Sequence, residues 1–138
     1  MTITEQELNA GYSQEQAAAY DREARSQYGD AAVDRSLACA KSLTKEQWTA
    51  YGVETKAVCE GLARLMDRHL PEDPEVQALV ARHYRLIEVF HSPTAEVYAG
   101  LGQLYVTDDR FRQHYDVYRP GLADFLAAAM THYAQHSL

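Results

Sequence analysis

The stretch His83-Tyr84-Arg85-Leu86-Ile87-Glu88-Val89-Phe90-His91-Ser92-Pro93-Thr94 runs on into Ala95-Glu96-Val97-Tyr98-Ala99-Gly100-Leu101-Gly102-Gln103-Leu104-Tyr105-Val106-Thr107-Asp108-Asp109-Arg110-Phe111, and its reading decides the fold. Ser92-Pro93 ends one helix, because the residue before a proline is pushed out of helical dihedrals. A second helix restarts at Thr94 and runs to about Val106, with Val97, Tyr98, Leu101, Leu104 and Tyr105 predicted to face inward. Asp108 then caps a short helix holding Phe111, Tyr115 and Tyr118. Gly100 and Gly102 inside the second helix each cost about 0.5–1 kcal/mol relative to alanine, which implies close approach of another backbone or of a ligand.

Working outward, Pro120-Gly121 breaks the chain again before a last amphipathic helix of Leu122, Phe125, Leu126, Ala129, Met130 and Tyr133. Upstream, Asp73 and Pro74 open the helix whose inner stripe is Val76, Leu79, Val80, His83, Ile87 and Phe90, since a proline at the first helical position loses no intrahelical bond. Thr44 and Gln47 make a capping box for the longest helix, about residues 45–69. Its stripe is Trp48, Tyr51, Thr55, Val58, Cys59, Leu62, Leu65, Met66 and His69. Asp30 is expected to cap a helix over 31–43, and Ser13 one over 14–28. The latter is rich in alanine, with good propensity but little area to bury, so residues 1–30 are expected to be mobile N-terminal helices. One further turn is expected at residues 4–9, capped by Thr4 and ended by Gly11. No strand pattern competes, so the expected fold is all-α, about seven helices in a single domain spanning 1–138.

Bulk properties narrow the function. The 138 residues suffice for one core, and no apolar run approaches the roughly 20 residues that cross a bilayer. The start lacks the basic and apolar segments of a signal peptide, so a cytoplasmic location is expected. A net charge of −7 spread along the chain repels phosphate backbones, which argues against direct nucleic-acid contact by this domain. Cys39 and Cys59 fall on apolar helix faces and read as buried thiols. Nothing reads as a catalytic motif, and the adjacent carboxylates Glu72-Asp73 and Asp108-Asp109 sit at helix starts, where the dipole explains them. No enzyme and no cofactor are therefore expected. Of six histidines only His132 and His136 lie four apart, near a terminus expected to fray, so no metal is expected either.

What remains is an excess of tyrosine: ten, against three phenylalanines and one tryptophan. Tyrosine combines a flat apolar face with a polar tip, which suits the wall of a wet cleft for large, flat ligands. The candidate lining is Trp48 and Tyr51 on the long helix, and His83, Tyr84, Ile87, Phe90 and His91 on and after the next. Tyr98, Leu101 and Tyr105 follow, then Phe111, Tyr115 and Phe125. His83, an imidazole among aromatics, is a candidate to hydrogen-bond a polar ligand group.

The run from His83 to Phe111, with its Gly100-Leu101-Gly102-x-Leu104-Tyr105-Val106-x-Asp108-x-Arg110-Phe111 core, resembles the TipAS family. Tyr115, Gly121-Leu122-Ala123-x-Phe125-Leu126, Tyr28-Gly29-Asp30 and Thr44-x-x-Gln47-Trp48 fit the same pattern, over about residues 20–134. These are antibiotic-recognition domains found at the C-terminus of MerR-type activators and also as separate proteins. The resemblance implies a globin-like helical bundle around an aromatic cleft, without haem, that binds thiopeptides or albicidin-like aromatic peptides. It also implies an N-terminal segment that orders on binding. The family's founding member has a cleft cysteine that bonds to the dehydroalanine of thiopeptides. That position falls at Pro93 here, and neither Cys39 nor Cys59 replaces it, so binding is expected to be reversible. The 138 residues hold neither a winged helix nor a coiled coil. The expected function is therefore drug sequestration and resistance by a free-standing protein, or effector sensing as part of a MerR-type regulator with its own DNA-binding domain. A haem-binding globin would share the fold and show an absorbance band. A protein–protein module would instead expose an apolar patch.

Overall fold

The computed structural model describes Thr2, Thr4 and residues 12–138. The turn expected at residues 4–9 and its stop at Gly11 fall outside the described residues, apart from Thr4. Among the described residues seven helices follow in order: α1 Gln14–Tyr28, α2 Asp30–Ser42, α3 Lys45–Leu65, α4 Pro74–Glu88, α5 Ala95–Thr107, α6 Asp109–Asp116 and α7 Leu122–Ser137. The fold is all-α, with no strand among the described residues beyond an isolated antiparallel bridge between Thr2 and Thr44.

The helix starts follow local chemistry. Ser13 and Gln16 form a reciprocal capping box on α1, and Thr44 and Gln47 do the same for α3 at 2.8 and 3.1 Å. The Thr94 hydroxyl accepts from the Val97 amide at the start of α5, and the Asp108 carboxylate from the Arg110 amide at the start of α6. Asp30 is a correction: it is the first residue of α2, and the cap is Gly29 at φ +88°, with no side-chain bond. The Asp30 carboxylate instead joins Asp21 and Asp34 around the Arg25 guanidinium, at 3.1, 2.8 and 2.8 Å respectively. Two ends also differ from expectation. α3 stops at Leu65, with turns to Arg68 rather than helix to His69, and α4 stops at Glu88, before Phe90. Tyr118 lies beyond the end of α6.

The described chain divides into two compact units, one of residues 1–51 and 89–91, the other of residues 52–88 and 92–138. In the first, α1 packs on α2, yet α1 buries no residue and α2 only Ala40. The hairpin rests on the Arg25 cluster, whose exposed pairs each contribute little. The second unit holds the core: Val58, Leu62, Val76, Val80, Tyr98, Leu122, Leu126 and Met130 are fully buried. There α7 packs against α4, α5 and α6, most extensively against α5. Interhelical ties add to the apolar contacts. Arg82 pairs with Glu54, Arg119 pairs with Asp67 and donates to the Ala63 carbonyl at 3.0 Å, and Arg112 bridges the Val106 carbonyl and Asp124.

On α5 the buried stripe is Tyr98, Gly102 and Tyr105, while Val97, expected inward, is 44% exposed. A glycine centres this stripe because the α7 backbone comes so close. A Cβ at Gly102 would sit 3.2 Å from Ala127 Cα and 3.4 Å from its carbonyl oxygen, whereas one at Gly100 would meet nothing within 4 Å. The close approach expected of both glycines is therefore real at Gly102 only. Gly100→Ala should stabilise the protein by about 0.5–1 kcal/mol through helix propensity. Gly102→Ala, overpacked against helical backbone, should destabilise it by about 1–2 kcal/mol after that same gain is subtracted. Paired urea melts check the opposite signs; two stabilising substitutions would mean that α5 and α7 can move apart freely.

Candidate ligand-binding site

The thirteen aromatic and apolar candidates are divided between the two units. Trp48, Tyr51, Phe90 and His91 belong to the first unit and the other nine to the second.

In the first unit the capping box sets the start of α3, which places Trp48 and Tyr51 one turn apart. The turn after α4 brings in Phe90. The three rings meet pairwise: Trp48–Tyr51 centroids are 5.8 Å apart, Tyr51–Phe90 5.4 Å and Trp48–Phe90 6.1 Å, in edge or tilted arrangements that suit the ring quadrupoles. The Trp48 indole N–H donates to the Ala40 carbonyl at 3.1 Å, fixing the ring against the end of α2. All three remain half-buried, and His91 is exposed. Burial raises the Tyr51 hydroxyl above the usual phenol range, so it stays a neutral donor at any physiological pH.

In the second unit a larger aromatic group surrounds His83, which is 4% exposed. The imidazole Nδ1 lies 2.7 Å from the Tyr98 hydroxyl and Nε2 lies 3.5 Å from that of Tyr115, while the Tyr98 O–H reaches the Val80 carbonyl at 3.4 Å. One proton arrangement uses all three contacts: Nδ1–H donates to the Tyr98 oxygen, Tyr98 O–H to Val80, and Tyr115 O–H to Nε2. Burial lowers the His83 pKa to about 4, so the ring is neutral at pH 7, as that arrangement requires. Tyr84 donates to the Pro93 carbonyl at 2.9 Å and stacks edge-on against Tyr98 at 5.0 Å. Tyr105 lies 4.7 Å from Tyr115 and 5.8 Å from Phe111, which is 38% exposed. Ile87, Leu101 and Phe125 are half-buried. Among the described residues no buried side-chain polar atom lacks a partner.

Two features went unread in the sequence. Tyr133 belongs to this group, 5.7 Å from Tyr84 and 5.8 Å from Tyr98; its place on the apolar stripe of α7 was the available signal. His83 makes protein–protein hydrogen bonds at both nitrogens, where an open hydrogen-bonding role toward a ligand had been expected. Tyrosine hydroxyls on α5 and α6 occupy them, and no linear pattern on α4 carries that information.

Residues 20–133 match the family model described as the TipAS antibiotic-recognition domain. The chain belongs to the TipAS family. The TipAS domain is a recognition module, and the relatives it occurs in are transcription regulators rather than enzymes. Similar proteins include the HTH-type transcriptional regulator SkgA of Caulobacter vibrioides, 31% identical over 97% of this chain and 55% of the relative. The HTH-type transcriptional activator mta of Bacillus subtilis is 29% identical over 98% and 54%. TipA of Streptomyces coelicolor is 30% identical over 80% and 45%. This TipAS chain thus spans about half the length of the curated relatives it matches. A solved structure of TipAS from Streptomyces lividans in complex with nosiheptide superposes with a TM-score of 0.79 at 24% identity, covering 100% of this chain and 99% of that one, which shows a shared fold. Among the described residues no helix is long and apolar enough to cross a membrane.

Proposed function

We propose that this TipAS domain reversibly binds bulky aromatic peptide antibiotics of the thiopeptide or albicidin type, and so sequesters them. The match of residues 20–133 to an antibiotic-recognition domain carries the reading. The half-buried rings Trp48, Tyr51 and Phe90 supply flat apolar faces of the kind such ligands stack on. Within the first unit the exposed His91 is the further contact we put forward; in the second unit Tyr84, packed on Tyr98, and the exposed Phe111, packed on Tyr105, are candidates in their own right. Reversibility follows from the thiols. Cys59 is 2% exposed and burial pushes it up to about 11, which leaves almost no thiolate at pH 7; Cys39, expected to be buried, is half-buried on α2, and Pro93 stands where the resemblance would put a reactive cysteine. The α1–α2 hairpin, with a single buried residue, has little apolar area to hold it and would gain order from a ligand.

A second reading is favoured by the relatives, which are DNA-binding regulators about twice as long: the domain would be the effector sensor of a MerR-type activator. Both readings share one first test. Titrating the protein with a thiopeptide panel, followed by Trp48 fluorescence, should give saturable quenching. At about 100 times the dissociation constant, a ligand should raise stability by roughly 2.7 kcal/mol. Tyr51→Ala and Phe90→Ala should weaken binding about tenfold or more, and intact-mass spectra should show no covalent adduct. Absence of saturable binding across the panel would overturn the ligand class.

A further inference from the structure

We propose that His132 and His136 form a two-histidine chelate for a first-row divalent transition-metal ion, copper(II) foremost. In sequence the pair lies beside a terminus expected to fray. In the structure α7 continues as regular helix through Ser137, so both side chains stand on one helix face, one turn apart. Their rings lie close, with centroids 4.2 Å apart and planes inclined by 36°. His132 is half-buried and His136 exposed, so a hydrated ion reaches both. Apart from this ring contact, neither imidazole has a partner among the described residues, which leaves their nitrogens available.

Histidines at this spacing on a helix are a proven bidentate geometry, the one that two-histidine zinc helices use. Rotation about the broad imidazole χ2 torsions turns one nitrogen from each ring toward a common point. His136 lies in the last turn of α7, where the unsatisfied carbonyls carry partial negative charge and favour a cation. Among the described residues no group of three or more His, Cys, Asp or Glu side chains is placed to hold a metal, so the protein supplies two ligands and water fills the rest. An incomplete site of imidazole nitrogens follows the ordinary affinity order, with copper(II) above nickel(II) and zinc(II), and magnesium and calcium ignored. Such a site is independent of the antibiotic reading.

The test is calorimetric titration of the tag-free protein with Cu2+ alone in a non-chelating buffer, with electron paramagnetic resonance of the complex. One equivalent should bind, with nitrogen hyperfine structure. His132→Gln and His136→Gln should each weaken binding about tenfold or more with the helical circular dichroism unchanged, and His114→Gln should leave it intact. Unchanged affinity and spectrum in the double variant would place the ion elsewhere and overturn the proposal. Absence of nitrogen-ligated copper in the unsubstituted protein would overturn it equally.

Discussion

Replacing Tyr98 by alanine is expected to lower stability by about 3–5 kcal/mol, the range for removing a fully buried aromatic ring that its surroundings cannot refill. The ring is 0% exposed and touches Tyr84, Tyr133 and His83, so its loss opens a cavity bounded by α4, α5 and α7. Tyr98→Phe keeps the volume and removes only the hydroxyl. It should cost about 1–3 kcal/mol, because the His83 Nδ1–H then loses its acceptor in a site without water access. Urea denaturation of the two variants separates the terms. Equal losses would mean that the hydroxyl, and not the packing, dominates this part of the core.

Acid should weaken the fold through His83. The group is buried, with its pKa lowered from 6.5 to about 4 by desolvation. Above pH 6.5 both folded and unfolded chains carry it neutral and its contribution is fully present. As pH falls below 6.5 the unfolded chain takes up a proton that the folded chain refuses until about pH 4, so stability is lost across that window. The full loss is about 3 kcal/mol, of which about 2 kcal/mol should appear between pH 7 and pH 5. The carboxylates of Glu54, Asp67 and Asp108 are held below their usual range by hydrogen bonds from Arg82, Arg119 and Arg110, so their stabilisation is lost only as pH falls below the ordinary values of 4.5, 3.8 and 3.8, and the interval from pH 7 to pH 5 reports chiefly His83. His83→Phe, which cannot titrate, should start less stable at pH 7 but show a shallower loss by that same amount. Denaturant midpoints at pH 7, 6 and 5 for both proteins decide it; parallel pH profiles would assign the acid sensitivity elsewhere.

Local chemistry accounts for most of what could be read in advance. The capping boxes Ser13/Gln16 and Thr44/Gln47, the cap Asp108 and the break at Pro120-Gly121 act within four residues of chain, and the structure has each where its residues require, whereas the helix expected to run to Ser92-Pro93 already ends at Glu88. Spacing along α4 and α7 likewise gave the buried faces Val76–Val80–His83 and Leu122–Leu126–Met130. The misreadings arose where a neighbouring helix intervenes. Asp30 is drawn from its cap position into the Arg25 cluster, and Val97 turns outward because Gly102 lets α7 approach the other side of α5.

The candidate aromatics show the same division. Composition identified tyrosine as the unusual residue, and helical periodicity found nearly all of the rings that meet. Which rings are open and which are sealed was decided only in three dimensions. His83 is closed off by hydroxyls from residues 15 and 32 positions away, while Trp48, Tyr51 and Phe90 keep part of their faces exposed. Most helix starts, the all-α class and the family-bearing run from His83 to Phe111 were determined by the sequence itself, since caps, breakers and periodicity are short-range effects. The protonation of His83 and the closeness of Gly102 to Ala127 were decided by the folded chain. Desolvation, backbone approach and side-chain proximity exist only once the helices have packed.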